Sequence, residues 1–214
     1  MDPNITRLQR LDTATLSDAL DRHGIAGQCL GIKPRDPHFR MAGRAVTLRY
    51  VAAGSQPGNV ADYIDDVAPG SVLVLDNGGR EDATVWGDIL TLVAHRRGIA
   101  GTVIDGPCRD IHLCLELGYP VFSRSYSMRT GKDRVQLEAM NIPVTIGGAT
   151  VGPGDLIRGD ADGVIAIPRR EEETILATAE HIAGAEQNIR DAVLSGMRLD
   201  EARKRFGYFK LQSK

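Results

Sequence analysis

Cysteine is scarce in this chain: Cys29, Cys108 and Cys114 are odd in number and show no CxxC spacing, so neither a disulfide framework nor a zinc knuckle is expected. Long apolar runs are missing as well. No stretch approaches the ~20 residues of a membrane span, and the opening Met-Asp-Pro-Asn-Ile-Thr-Arg has no signal or targeting pattern. A cytoplasmic protein with no membrane partner is the expectation. A formal charge of -2 and the lack of any lysine or arginine stripe exclude the electrostatic footprint of a nucleic-acid binder. There is no GxGxxG or Walker pattern, so Asn77-Gly78-Gly79 reads as a flexible turn rather than a phosphate cradle.

What is present suits one compact domain. With 214 residues, 42% hydrophobic and 25% charged, the chain can bury a core without splitting. Residues 1–214 are read as a single domain, with 169–214 as a C-terminal helical extension. Leu11 to His23, capped by Asp12 or Thr13 and closed by Gly24, reads as an amphipathic helix. Gly43 to Val51 reads as a strand and Asn59 to Val67 as a short helix. Ser71 to Asp76 is a buried strand, Thr84 to Arg97 a helix, Gly101 to Asp105 a second buried strand, and Arg109 to Leu117 a helix closed by Gly118. Ser123 to Asn141 is polar and reads as an irregular excursion. Ile142 to Ile167 holds short strands punctuated by Gly147-Gly148, Pro153-Gly154-Asp155 and Asp162-Gly163, as antiparallel hairpins are. A charged helix from Arg169 to Ser195, stopped by Gly196, completes a mixed α/β layered fold with a central βαβ unit and flanking hairpins.

The chemistry concentrates in one spacing, an aspartate followed after 20 residues by an Arg-Asp pair: Asp88, Arg109 and Asp110. A strand–helix–strand crossover normally makes its strands parallel, so both carboxyl ends share one sheet edge. Asp88 and the Arg109-Asp110 pair each sit at a helix start on that edge, where open α/β sheets bind ligands and helix dipoles favour anions. Taken singly, each aspartate would more often be a helix cap and Arg109 a surface ion pair. Their convergence carries the functional reading.

The segments Ala42 to Thr47, Val72 to Asp76, Trp86 to Leu90, Gly98 to Asp110, Pro153 to Asp155 and Asp160 to Val164 together resemble the family of 4-hydroxy-4-methyl-2-oxoglutarate aldolases and their ribonuclease-regulator-like relatives. The resemblance covers nearly the whole chain, and its most specific part is the D-x20-R-D pattern. It implies an α/β/β/α layered, swivelling β/β/α-like fold, assembly as a homotrimer or homohexamer, and active sites between subunits. It also implies a class II pyruvate aldolase dependent on Mg²⁺ or Mn²⁺, of the kind used in aromatic degradation. The substrates would be 4-hydroxy-4-methyl-2-oxoglutarate or 4-carboxy-4-hydroxy-2-oxoadipate, with oxaloacetate decarboxylation as a further activity. The alternative within the same resemblance is a non-catalytic protein that masks a ribonuclease.

Retro-aldol cleavage must hold a pyruvate enolate, which a divalent metal does as a Lewis acid. Asp110 is the expected direct ligand and Asp88 the holder of a metal-bound water, because carboxylate and water ligands suit a hard cation. Arg109 is expected on the substrate carboxylate or enolate oxygen. Gly87, Asp88, Ile89 and Leu90 are expected to bind substrate, with the Ile89 and Leu90 N–H groups taking carboxylate oxygens. A metal-held water near Arg109 or Asp88 is the expected base. An acidic residue from a neighbour's C-terminal helix is implied by the resemblance, with Glu186 the candidate. Imine chemistry is disfavoured because Lys33, Lys132, Lys204, Lys210 and Lys214 all lie in polar or terminal segments, whereas that route needs a desolvated amine. Trp86 is expected as a core or interface anchor and His112 as a residue facing away. Cys108 is expected as a small loop residue rather than a nucleophile. Asp155, Asp160 and Asp162 lack calcium-loop spacing and read as turns. Arg124 and Arg129 are candidates for a second substrate carboxylate, with exposed surface as the commoner reading.

Overall fold

The computed structural model describes residues 2–54 and 60–210. Two helices open the chain. α1 (Pro3–Leu8) was not anticipated by the sequence reading; at 6 residues it is too short to persist alone. It is held from afar by Arg7, whose guanidinium lies 2.8 Å from Glu173 and 2.8 Å from Glu180. α2 (Thr13–His23) ends where expected but starts two residues after Leu11, because Asp12 is its cap: the Asp12 carboxylate accepts the Thr15 N–H, and Gly24, at φ 67°, turns the chain out of the helix.

The strands are β1 (Lys33–Pro34), β2 (Met41–Ala52), β3 (Ser71–Asp76), β4 (Gly101–Cys108), β5 (Val121–Tyr126), β6 (Val135–Met140), β7 (Val144–Ile146), β8 (Ala149–Val151), β9 (Leu156–Asp160) and β10 (Gly163–Ile167). One sheet runs β1-β5-β4-β3-β2-β9-β10, with β6 joined to the far half of β2, and β7 and β8 form a separate two-stranded sheet. The β2-β3, β3-β4 and β4-β5 pairs are parallel, as the crossover rule requires, and every other pair is antiparallel. The remaining helices are α3 (Asp88–Arg96), α4 (Ile111–Leu117), α5 (Glu172–Leu194) and α6 (Leu199–Arg205).

Val72 to Leu75 are buried on both faces of the sheet, which is why that run is continuously aliphatic rather than alternating. At the far edge, Cys29 donates its N–H to Val164 and Ala166 donates to Gly27, and β1 follows within a few residues to pair with β5. The chain between 27 and 34 thus bridges the two edges and leaves the sheet nearly closed. Alternation then sorts the layers. Val164 and Ala166 of β10 join the core beneath the sheet, which also takes in residues of α3 and α4. Ile165 and Ile167 point the other way, into a second core built with α1, α2 and α5.

Asp76, the last residue of β3, and its partner Asp105 in β4 both fasten the β7–β8 hairpin. Asp76 accepts the Thr145 N–H at 3.2 Å and Asp105 accepts the Gly147 N–H at 2.8 Å. The buried Asp105 carboxylate is neutralised by Arg124, so that arginine is spent on the scaffold.

Five segments differ from the sequence reading. The helix expected over Thr84 to Arg97 begins only at Asp88, because Gly87 is extended and Thr84 is tied as an extended segment to the Arg129 carbonyl. The helix expected from Arg109 begins at Ile111, since the Arg109 N–H is taken by the Trp86 carbonyl at 3.1 Å. Residues 123–141 are not irregular throughout: β5 runs into them, and β6 closes them by pairing with β2 across a register shift at Arg49/Tyr50. The short helix expected over Asn59 to Val67 is a single 3₁₀ turn, Asp62–Asp66, and Asn59 lies outside the described residues. The long helix expected over Arg169 to Ser195 is α5 preceded by a 3₁₀ turn at Arg169–Glu171.

Candidate active site

The two helix starts meet as the spacing requires. Asp88 is the first residue of α3, and Asp110 stands just before α4 with φ 56°, a left-handed conformation uncommon for a residue with a side chain. That turn aims the Asp110 carboxylate back at α3. Its Oδ2 accepts the Asp88 N–H at 3.2 Å and lies 3.3 Å from Arg109 Nε. Among the described residues, no hydrogen-bond donor reaches Oδ1. Both side chains remain about one-third exposed, 37% for Arg109 and 30% for Asp110.

Gly87 makes this proximity feasible. A Cβ at Gly87 would stand 2.8 Å from Asp110 Oδ2 and 3.1 Å from Arg109 Nε, so any larger residue would push both groups away. Trp86 anchors the turn from beneath. It is buried, donates Nε1–H to Thr91 Oγ1 at 2.9 Å, and stacks on Tyr119 with ring centroids 6.2 Å apart. Its carbonyl binds the Arg109 N–H, so one residue ties both helix starts together.

Arg109 and residues 84–90 line a cavity of about 160 Å³, the size of a few-carbon acid. Asp88 faces it, with its Oδ1 accepting the Ile89 N–H at 2.8 Å; a substrate carboxylate would have to displace that contact to use the Ile89 donor. The lining is completed by Val60 and by Thr130, Gly131 and Lys132 of the β5–β6 loop. These four wall residues escaped the sequence reading. The only local signal was Gly131, where a Cβ would run into the Thr84 carbonyl. Lys132 thus reaches the cavity after all, but it is solvent-exposed, the opposite of the desolvated setting an imine-forming amine needs.

Other candidates lie elsewhere. Glu186 sits on α5, 3.5 Å from Arg190, and does not line the cavity of its own chain. His112 is exposed on α4. Cys108 is buried against Ser123 Oγ at 3.4 Å, and burial raises its thiol pKa, which disqualifies it as a nucleophile. Burial pushes Cys29 up to about 12 and Cys114 up to about 11. Asp160 and Asp155 are structural: Asp160 accepts the Thr13 N–H and hydroxyl, and Asp155 accepts the N–H groups of Gly152 and Arg169.

The donor set fits a hard divalent cation. The Asp110 carboxylate reaches the start of α3, where Asp88 stands, with one oxygen still open and in a space kept clear by Gly87, and carboxylate oxygens suit such an ion. Among the described residues, no group of three or more His, Cys, Asp or Glu gathers as a cage. A cation here would therefore draw part of its shell from solvent or substrate, as Mg²⁺ commonly does.

Comparison with known proteins agrees with this architecture. The RraA-like family model, Aldolase/RraA, matches residues 13–166. Protein DlpA of Legionella pneumophila is 39% identical over 210 residues, 96% of this chain and 34% of that protein, so the chain spans about a third of its length. A protein of Halalkalibacterium halodurans, named provisionally as a 4-hydroxy-4-methyl-2-oxoglutarate aldolase, is 36% identical over 176 residues, 82% of this chain and 81% of the relative. The crystal structure of Streptomyces coelicolor RraAS2, described as an unusual member of the RNase ES inhibitor RraA protein family, superposes with a TM-score of 0.82 at 28% identity. That match covers 89% of this chain and 98% of the other. The family match extends over both sheet halves and the two helix starts, and the chain belongs to the Aldolase/RraA family.

Proposed function

We propose that this protein is a divalent-metal-dependent pyruvate aldolase that cleaves 4-hydroxy-2-oxo acids of the 4-hydroxy-4-methyl-2-oxoglutarate or 4-carboxy-4-hydroxy-2-oxoadipate type. The observation that carries the reading is the convergence of Asp88, Arg109 and Asp110 beside a small cavity, with Asp110 Oδ2 within 3.3 Å of both the Asp88 N–H and Arg109 Nε. Asp110 and Asp88 would hold the cation, Mg²⁺ or Mn²⁺. When bound, the cation supplies Lewis-acid polarisation of the 2-oxo group.

The chain's own residues do the rest. Arg109 presents a planar guanidinium to the cavity, where it orients the 2-oxo acid and stabilises the oxygen on which negative charge grows as the C3–C4 bond breaks. The Leu90 N–H at the start of α3, and the Ile89 N–H once it is released from Asp88 Oδ1, receive carboxylate oxygens, with the helix dipole favouring the anion. The wall at 84–86 and the β5–β6 loop exclude bulk water from one side. Loss of CO₂ from oxaloacetate leaves the same enolate, so decarboxylation is expected at this site.

Assembly of subunits fits the same reading. Ile89 and Leu92, one turn apart on the outer face of α3, are 73% and 43% exposed beside the cavity mouth. Apolar surface of this kind is suited to burial against another copy, as a trimer or hexamer requires. In such an assembly Glu186 from a neighbouring subunit could approach the cavity. The second reading, a regulator that masks a ribonuclease, draws on the likeness to RraAS2. A coupled assay for pyruvate release from the two named substrates and oxaloacetate, with Mg²⁺ or with chelator, tests the proposal. Chelator-sensitive release supports it; no release together with tight ribonuclease binding selects the regulator.

A further inference from the structure

The cavity that Arg109 lines carries a second cation. Lys132 lines the cavity, and among the described residues its ammonium has no carboxylate partner. Its backbone, by contrast, is fixed. Thr84 takes the Arg129 carbonyl through both its N–H and its hydroxyl, at 3.2 and 3.0 Å, pinning the loop to the segment that leads into Asp88. Gly131 is packed against Thr84 with no room for a Cβ, and its carbonyl accepts the Arg134 and Val135 N–H groups at 2.9 Å each. The Lys132 N–H donates to Thr130 Oγ1 at 3.2 Å. A rooted main chain thus holds an exposed lysine, with no carboxylate partner among the described residues, in the lining of a cavity that Arg109 also lines.

The two arginines that sequence alone offered for a second carboxylate do not occupy this position. Arg124 is consumed by Asp105, and Arg129 does not line the cavity. A planar fork such as Arg109 suits the invariant 2-oxo acid end, whereas a compact charge on a four-carbon stem follows a group whose distance varies among substrates. Resting on the functional reading above, we infer that Lys132 is a specificity-determining residue that binds the carboxylate at the far end of a 2-oxo diacid.

The test compares two ligands by titration calorimetry in saturating Mg²⁺: pyruvate, which has only the 2-oxo acid end, and 2-oxoglutarate, which adds a distal carboxylate. The wild-type protein should prefer 2-oxoglutarate by about ten-fold, the size of a partly solvated charge-assisted contact. Lys132→Met should bring that ratio close to one and leave pyruvate affinity unchanged, while Lys132→Arg should keep most of the preference. A ratio that survives Lys132→Met, an equal loss for both ligands, or no wild-type preference overturns the assignment. If the preference is present and Lys132-dependent but no 4-hydroxy-2-oxo acid is cleaved, Lys132 stands and the aldolase reading falls.

Discussion

Replacing Gly87 by alanine isolates the geometry of the site from the stability of the fold. The backbone there, φ -155° and ψ -163°, is extended and open to any residue, so alanine adds no main-chain strain. Its methyl group would stand 2.8 Å from Asp110 Oδ2, 3.1 Å from Arg109 Nε and 3.4 Å from Arg109 Cγ. All three belong to side chains that can give way, so the cost falls on their positions. Alanine is somewhat poorer than glycine at a helix N-cap, but it lowers unfolded-state entropy; the two effects are each under about 1 kcal/mol and oppose one another. Unfolding free energy should therefore stay within about 1 kcal/mol of wild type. Displacing a catalytic pair by a large fraction of an ångström costs on the order of 100-fold in rate, which corresponds to about 2.7 kcal/mol of transition-state stabilisation. Pyruvate release from 4-hydroxy-4-methyl-2-oxoglutarate in Mg²⁺ measures kcat/KM, and urea denaturation measures stability. A Gly87→Ala protein that keeps kcat/KM within two-fold would refute the claim that close approach of Asp110 and Arg109 to the α3 start matters.

Two further outcomes test the scaffold. Trp86→Ala should destabilise the fold by about 3–5 kcal/mol, because it empties a buried indole site and removes the Thr91 hydrogen bond; a loss below about 1 kcal/mol in urea would show that Trp86 does not anchor the two turns. Burial acts to raise the Asp160 pKa, but hydrogen bonds from Thr13 and Asp162 and the charge of Arg158 together leave it below the usual aspartate value. The native state therefore favours the ionised form. That stabilisation is present above pH ~4 and is lost as pH falls through the lowered native pKa. The stability gap between wild type and Asp160→Asn should be full at pH 6 and shrink below pH ~4; a gap that does not change with pH contradicts the assignment.

The sequence was legible where local chemistry and tertiary packing demand the same residues. Val72 to Leu75 had to be a buried strand, Asp12 and Gly24 delimit α2 by capping alone, and the crossover rule brought Asp88 to Arg109 and Asp110. Helix starts were displaced because backbone partners set them: the Trp86 carbonyl claims the Arg109 N–H before α4 can begin. β6 was hidden because only Val135 in it is fully buried, so an edge strand with Gln136 and Glu138 lacks clean alternation. The far cavity wall was hidden for a different reason. Thr130 to Lys132 reach the site because the Thr84 N–H and hydroxyl both bind the Arg129 carbonyl, 45 residues away, a pairing that no local sequence pattern announces. α1 depends on ion pairs from Arg7 to residues 166 and 173 positions away, beyond any local reading.

The central claim is that Asp110, beside Arg109 and Asp88, supports a metal-dependent enolisation of pyruvate. Exchange of the pyruvate methyl protons with deuterium, followed by proton NMR, reads that step without any choice of cleavage substrate. The wild-type protein should exchange in Mg²⁺ and stop on chelation, and Asp110→Ala should lose at least about 100-fold. Exchange that persists in chelator, or that is unchanged in Asp110→Ala, would contradict the account.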